Sequence, residues 1–246
     1  MAVACQAGEK GRKPSADWSR SVPVGFFVRG DIDMAAEPDG GRTHLTWLQQ
    51  DGEQHHIHYL QLNETAEPQV DRHLAIVADQ LRLPSLELAS GSDLHLLWSS
   101  RQENQREWDL NAARLNQTGD LLDEPLLVAT ADQDVDSYGT APDGQGGLYI
   151  VWSSDVDGAL YGLQISAAGQ IVQEPQQIAR QGTDPFLAVA GADLHMTWWE
   201  EGEIHYGVLL RGEMDELAGE VVANRELNDG QTLDGPVLGV ASDWAY

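Results

Sequence analysis

The chain has 246 residues, with 40 Asp and Glu against 14 Lys and Arg, a formal charge of −26. With 41 % hydrophobic residues it is apolar enough to build a core, and a chain this acidic, with no cluster of cations, is excluded as a nucleic-acid or anionic-lipid binder. No apolar run is long enough to cross a bilayer, and a single Cys excludes an intrachain disulfide framework and a cysteine-based zinc site.

The N-terminal segment, residues 1–21, reads as an address and a tether. Small residues Ala2, Val3 and Ala4 stand directly before Cys5. This resembles the cleavage box of a bacterial lipoprotein signal, which implies that Cys5 carries the lipid and that the domain sits outside the cytoplasm on the cell envelope. The box departs from that family at Ala2, where Leu is commoner, and no basic and apolar region precedes it. Residues 6–21 are polar and hold Gly8, Gly11 and Pro14, a composition suited to a flexible tether.

Residues 22–246 form the second unit. Val22–Arg29 reads as the last strand of a repeat, followed by Asp31 and Asp33. Four stretches then align: Arg42–Trp47, Asp93–Trp98, Gly147–Trp152 and Asp193–Trp198, with Trp spacings of 51, 54 and 46 residues. Alternation puts Leu45, Leu96, Ile150 and Met196 on the same strand face as Trp47, Trp98, Trp152 and Trp198, so that face is the expected core.

Each Trp strand has similar flanks. Upstream stand Pro84–Ala89, Asp136–Pro142, Pro185–Ala190 and Pro236–Ala241. Downstream stand His55–Leu62, Arg106–Leu110, Gly158–Ile165 and Glu203–Leu209. A fourth short element follows at His73–Val77, Pro125–Ala129, Pro175–Ala179 and Glu220–Ala223. Four short strands joined by Gly, Asn, Asp and Pro turns, recurring about every fifty residues, predict an all-β propeller of four-stranded blades. There are about four full repeats and a partial fifth, so the ring is five-bladed or part of a larger one. The repeats and the Trp-Ser-Ser runs at 98–100 and 152–154 resemble bacterial sialidase-like propellers of the BNR-repeat kind. The Asp box of that family, Ser-x-Asp-x-Gly-x-Thr-Trp, has only a distant echo at Ser154–Gly158, and no arginine trio recurs at matching repeat positions.

The carboxylates Asp132, Asp134 and Asp136, with Asp155 and Asp157, fall in loops. Their spacing makes calcium the candidate metal, against the commoner use of Asp in turns. His55, His56 and His58 supply at most half of a zinc site. His44, His95 and His195 recur with Tyr149 in the third repeat, which points to hydrogen bonds between blades. No Ser-His-Asp order, nucleophile elbow or phosphate loop is present. The resulting expectation is a non-catalytic extracytoplasmic propeller that binds a protein or glycan and needs no cofactor. The alternatives are a glycan-active hydrolase using channel acids such as Asp31, Asp134 or Asp136, and a structural module of a larger envelope protein.

Overall fold

The computed structural model describes residues 28–38, 41–52, 54–89, 93–130, 133–191, 193–210, 220–224, 240–241 and 244–245, with side chains from Ile32 to Leu209. The first blade comprises β1 (Val28–Ala36), β2 (Arg42–Asp51), β3 (Gln54–Asn63) and β4 (Pro68–His73). The second comprises β5 (Gln80–Leu88), β6 (Leu94–Arg101), β7 (Asp109–Leu115) and β8 (Leu126–Ala129). The third comprises β9 (Val135–Pro142), β10 (Leu148–Ser154), β11 (Leu160–Ile165) and β12 (Ile171–Ala179). The fourth comprises β13 (Thr183–Ala190), β14 (Asp193–Glu200), β15 (Glu203–Leu210) and β16 (Glu220–Asn224). A two-stranded sheet of β17 (Val240–Ala241) and β18 (Trp244–Ala245) follows. Strands within each sheet are antiparallel and neighbour one another in chain order. The protein is an all-β propeller of about five blades.

The sequence repeat maps onto the blades with two corrections. Val28 and Arg29 belong to β1, a first strand continuous with Asp31 and Asp33, not to the last strand of a unit; residues 22–27 lie outside the described part. The last strand of the first blade is Pro68–His73, ahead of the expected His73–Val77. The turn before it was missed by pattern. The Asn63 side-chain oxygen accepts from the backbone N–H of Thr65 (3.0 Å) and Glu67 (2.9 Å). Asn116 does the same for Thr118 and Asp120, each at 2.9 Å. Both are Asx turns on an Asn-x-Thr-x-acid pattern, which ends β3 and β7 alike.

Packing explains the ring. A four-stranded sheet buries both faces only by leaning on a neighbour on each side. Trp98, Leu94 and Leu96 of the second blade pack on Leu48, Ile57 and Tyr59 of the first. Trp152, Leu148 and Ile150 pack on Leu97, Leu110 and Val128 of the second. Trp198, Leu194 and Met196 pack on Val151, Leu160 and Ile178 of the third. Each indole thus points toward the preceding blade and is at most 3 % exposed. Trp47, with Leu60 and Leu62, forms a separate cluster on the opposite side of the first blade. The expected single core face becomes two: Leu97 and Val151 are also 0 % exposed, because an inner blade has neighbours on both sides.

The residue opposite the Trp on the next strand is aromatic in three blades. His58 stacks on Trp47 at 4.5 Å between ring centroids, Tyr161 on Trp152 at 5.9 Å and His205 on Trp198 at 5.4 Å. The recurring histidines stand three residues before the Trp on the same strand, and two of them tie neighbouring blades together. His95 Nε2 donates to the Gly146 carbonyl of the next blade at 2.9 Å. The Tyr59 hydroxyl, 2.8 Å from His44 Nδ1, donates to the Gln117 carbonyl of the second blade at 3.0 Å. His195 stays within its blade, on Tyr206 at 2.6 Å. Burial lowers the pKa of His44 and His95, which suits neutral hydrogen-bonding rings.

Trp152 has no exposed surface and spans a seam. Trp152→Ala lowers unfolding stability by about 3–5 kcal/mol. Urea titration followed by circular dichroism checks this; a loss under 1 kcal/mol would contradict packing through this indole.

Candidate active site

The first strands β1, β5, β9 and β13 face one another around the axis and enclose a cavity of about 890 Å³. Their close approach is visible at Gly139 of β9, where a Cβ would come within 2.2 Å of the Pro185 carbonyl oxygen of β13. Only a residue without a side chain fits there.

At the start of the first strands the backbone is strained in a repeating way. Leu83 of β5 and Asp184 of β13, at matching bulges, both hold a φ of 50°, and Asp134, just ahead of β9, holds 41°. Left-handed φ is costly for such residues and persists where surrounding contacts hold it. Those contacts cross the seams. The Tyr138 hydroxyl of β9 donates to the Leu83 carbonyl of β5. The Asp184 N–H donates to Ser137 Oγ of β9 at 2.9 Å.

Three carboxyl groups line the cavity, Asp33 of β1, Glu87 of β5 and Asp184 of β13, and the first two come from neighbouring blades. Asp33 Oδ2 accepts from the Leu86 N–H at 2.7 Å, so the first blade's acid is fastened to the strand carrying the second. Glu87 Oε1 accepts from Thr140 Oγ1 of β9 at 2.7 Å, which fixes it from the other side. Burial is the main cause that pushes Glu87 up from its ordinary 4.5 to about 7; the Thr140 hydrogen bond opposes the rise and the nearby Asp33 charge adds to it. One channel therefore holds a carboxyl that keeps its proton to near neutrality beside a second carboxyl.

The acids proposed from sequence lie elsewhere. Asp134, Asp136 and Asp155 gather near Arg82, outside the described residues lining the cavity, which corrects the placement of Asp134 and Asp136 as channel acids. Arg82 stacks on one side of the problem: its guanidinium lies 4.2 Å from the Trp108 ring centroid, and Arg101 lies 4.6 Å from the same ring. Burial, then Asp136 and Asp134, raises the pKa of Asp155. Asp157 is turned away in the β10–β11 hairpin, where the Tyr161 hydroxyl donates to it at 2.7 Å and holds its pKa low. Cys5 and Asp132 lie outside the described residues, as does the side chain of Asp31. His56 and His58 share a face, as alternation requires, and meet His73 of β4 at 4.8 and 5.0 Å between ring centroids. His58 Nε2 is 2.5 Å from Asp71 Oδ1. Among the described residues no group of three or more His, Cys, Asp or Glu is arranged to hold a metal ion, so neither calcium nor zinc gains a built site here.

Glu87 escaped the sequence reading, and Asp33 was noticed only as half of an Asp31-x-Asp33 carboxylate pair in a loop, with calcium as its candidate ligand. A signal existed for Glu87: it stands in Pro84–Ala89 where the aligned fourth repeat has Ala188. A charge among the apolar residues of Pro84–Ala89 marks a position that faces the axis instead of a seam.

No protein-family model matches the sequence, and no curated protein does. Solved structures share the fold at low identity. A GH43 enzyme of Xanthomonas citri complexed with xylotriose is 10 % identical over 81 % of this chain and 76 % of that one, with a TM-score of 0.54. The GH43 endo-arabinanase of Bacillus licheniformis is 10 % identical over 82 % of each chain, with a TM-score of 0.52. A protein of unknown function from Dyadobacter fermentans is 8 % identical over 85 % of this chain and 68 % of that one, with a TM-score of 0.63. These likenesses carry the propeller fold. They overturn the expectation of a non-catalytic binding propeller, since the named enzymes that share this architecture are GH43 enzymes, and the glycan-active alternative is the reading taken up below.

The raised pKa of Glu87 has a stability signature. A carboxyl at about 7 in the native state and near 4.5 when unfolded adds stability that is complete below about pH 4.5 and is lost as the pH rises through about 7. Glu87→Gln cannot ionise and escapes this loss. Discounted for partial solvent access, its stability relative to wild type rises by ~2 kcal/mol between pH 4 and pH 8. Urea midpoints at both pH values measure it; a difference that does not change with pH would place Glu87 in water.

Proposed function

We propose that this protein is a glycan-active hydrolase whose chemistry is carried out in the propeller channel by Glu87 and Asp33. The observation that carries the reading is the pairing itself: two carboxyls from adjacent blades in one cavity, one of them protonated to near neutrality. Glycoside hydrolysis needs a proton donor for the leaving oxygen and a second carboxylate on the other side of the scissile bond. Glu87 is the donor, because its desolvated carboxyl retains a proton at a pH where an exposed glutamate has lost it. Asp33 is the second carboxylate, held in place by the Leu86 N–H. Thr140, Ser85 and Ser137 line the cavity with hydroxyls, in keeping with a polyhydroxylated substrate. The GH43 neighbours, among them an arabinanase and a Clostridium thermocellum exo-β-1,3-galactanase, make arabinan-, xylan- and galactan-type glycans the first substrates to try.

An extracytoplasmic place, with attachment through Cys5 and the tether 6–21, completes the proposal. It is supported by the small residues before Cys5, and it fits an enzyme that meets polysaccharide outside the cell. In the protein's own host, a fatty-acid label incorporated into wild type is absent from Cys5→Ala; labelling of neither would remove the anchor.

Hydrolysis of aryl arabinosides, xylosides and galactosides tests the chemistry. Wild type cleaves at least one, and Glu87→Gln loses a factor of ~10²–10⁴ in kcat. Because the donor must be protonated, kcat/KM falls as the pH rises through about 7. An inactive wild type across the panel, or a fully active Glu87→Gln, would end this reading.

A further inference from the structure

A second groove, of about 380 Å³, adjoins the channel at the rim of the fourth blade. It lies between the residues leading into β13 and the β14–β15 hairpin, and is lined by Gln181, Thr183, Asp184, Trp199, Glu200 and Glu201, with Gly182 and Gly202. Asp184 lines both this groove and the channel cavity, so the two spaces share a wall.

Two residues of the groove are held ready and left unused by the fold. Alternation along β14 sends Trp198 into the seam with the third blade and Trp199 to the other face. Trp198 is 2 % exposed, whereas Trp199 remains partly exposed and lines the groove. Asp184 is exposed, and among the described residues its carboxylate accepts no hydrogen bond, while its strained backbone is pinned by Ser137. Strain kept at a rim and spent on aiming an unpaired side chain is what binding sites do with it. Glu200 is occupied, accepting from Trp198 Nε1 at 3.1 Å and lying 3.7 Å from His205 Nδ1.

We propose that this groove is a second saccharide subsite, which takes one ring of an uncharged oligosaccharide whose neighbouring ring lies in the channel. The proposal rests on the glycan-active reading of the channel and names the substrate class: a neutral chain of at least two or three sugars. The partly exposed indole offers an apolar platform for the C–H face of a sugar ring. Asp184, Thr183 and Gln181 offer acceptors and donors for its hydroxyl rim, which is the pattern of a small-molecule pocket with a few placed polar groups. Charge selects the class. Among the described residues neither the groove nor the channel is lined by a Lys or Arg, and both hold carboxylates. A uronate would meet Asp184 and Glu201 with no cation to offset the repulsion, on a chain that carries −26 overall.

Calorimetric titration of the full chain with neutral xylo- and arabino-oligosaccharides of one to five units, and with oligogalacturonates of the same lengths, tests the subsite. In wild type the affinity for one neutral series rises at least tenfold from one unit to three, and the oligogalacturonates do not bind. Trp199→Ala abolishes that gain with length and keeps the affinity for a single unit; Trp199→Phe, which preserves an aromatic face, keeps most of the gain. Thermal midpoints of both variants confirm that they are folded. A Trp199→Ala protein that retains the full gain with length overturns the subsite, as does tighter binding of the oligogalacturonates. If no neutral series binds wild type, the glycan reading and the subsite fall together. If length dependence is lost in Trp199→Ala while no aryl glycoside is hydrolysed, the subsite stands and only the catalytic assignment fails.

Discussion

A buried indole at each blade seam is the contact on which the rest of the molecule depends. A lone four-stranded sheet leaves both faces wet, and the energy of covering them comes from large apolar side chains offered at the same register in each repeat. Trp98, Trp152 and Trp198 do this for three successive seams, each reaching back to the previous blade. Because the repeat is regular, the rotation between blades repeats as well, and the first strands converge on one axis. The approach becomes so close that Gly139 has backbone where another residue would have a side chain.

That convergence makes the chemistry. On an isolated strand Glu87 would be an ordinary solvated carboxylate. Set among β1, β5 and β9 it loses most of its water, receives a hydroxyl from Thr140 and feels the charge of Asp33. The same seams hold the strained heads of the first strands, with Tyr138 gripping Leu83 and Ser137 gripping Asp184. Packing energy gathered far from the axis is thus used to hold polar groups near it in positions they would not choose alone.

Charge is arranged with similar economy. Where Asp134, Asp136 and Asp155 crowd together, Arg82 is placed among them and leans on Trp108, so that the three acids share a cation. Among the described residues no such cation lines the walls of the channel or the adjoining groove. A surface this acidic keeps polyanions away and leaves neutral ligands unaffected.

The blade repeat was legible in the primary structure because it is a local pattern. Trp47, Trp98, Trp152 and Trp198 stand in short alternating strands, and Gly, Asn and Pro turns punctuate them, so strand order, strand count and the propeller class follow from residues close together in the chain. The stacking partners His58, Tyr161 and His205 could be read in the same way, as recurring residues on the next strand. The site was not legible. Asp33 and Glu87 are 54 positions apart; Asp33 shows in sequence only as one of a close Asp pair with Asp31, and Glu87 only as an acid where another repeat has Ala188, so nothing local pairs the two. Asp134 and Asp136 looked more like a site because they cluster in sequence, yet they end beside Arg82, outside the described lining of the cavity. Local periodicity dictates which residues form a blade; which acids lose their water and meet is decided only when blades from distant parts of the chain close around a common axis, since desolvation and charge coupling depend on distance in space and not on distance along the chain.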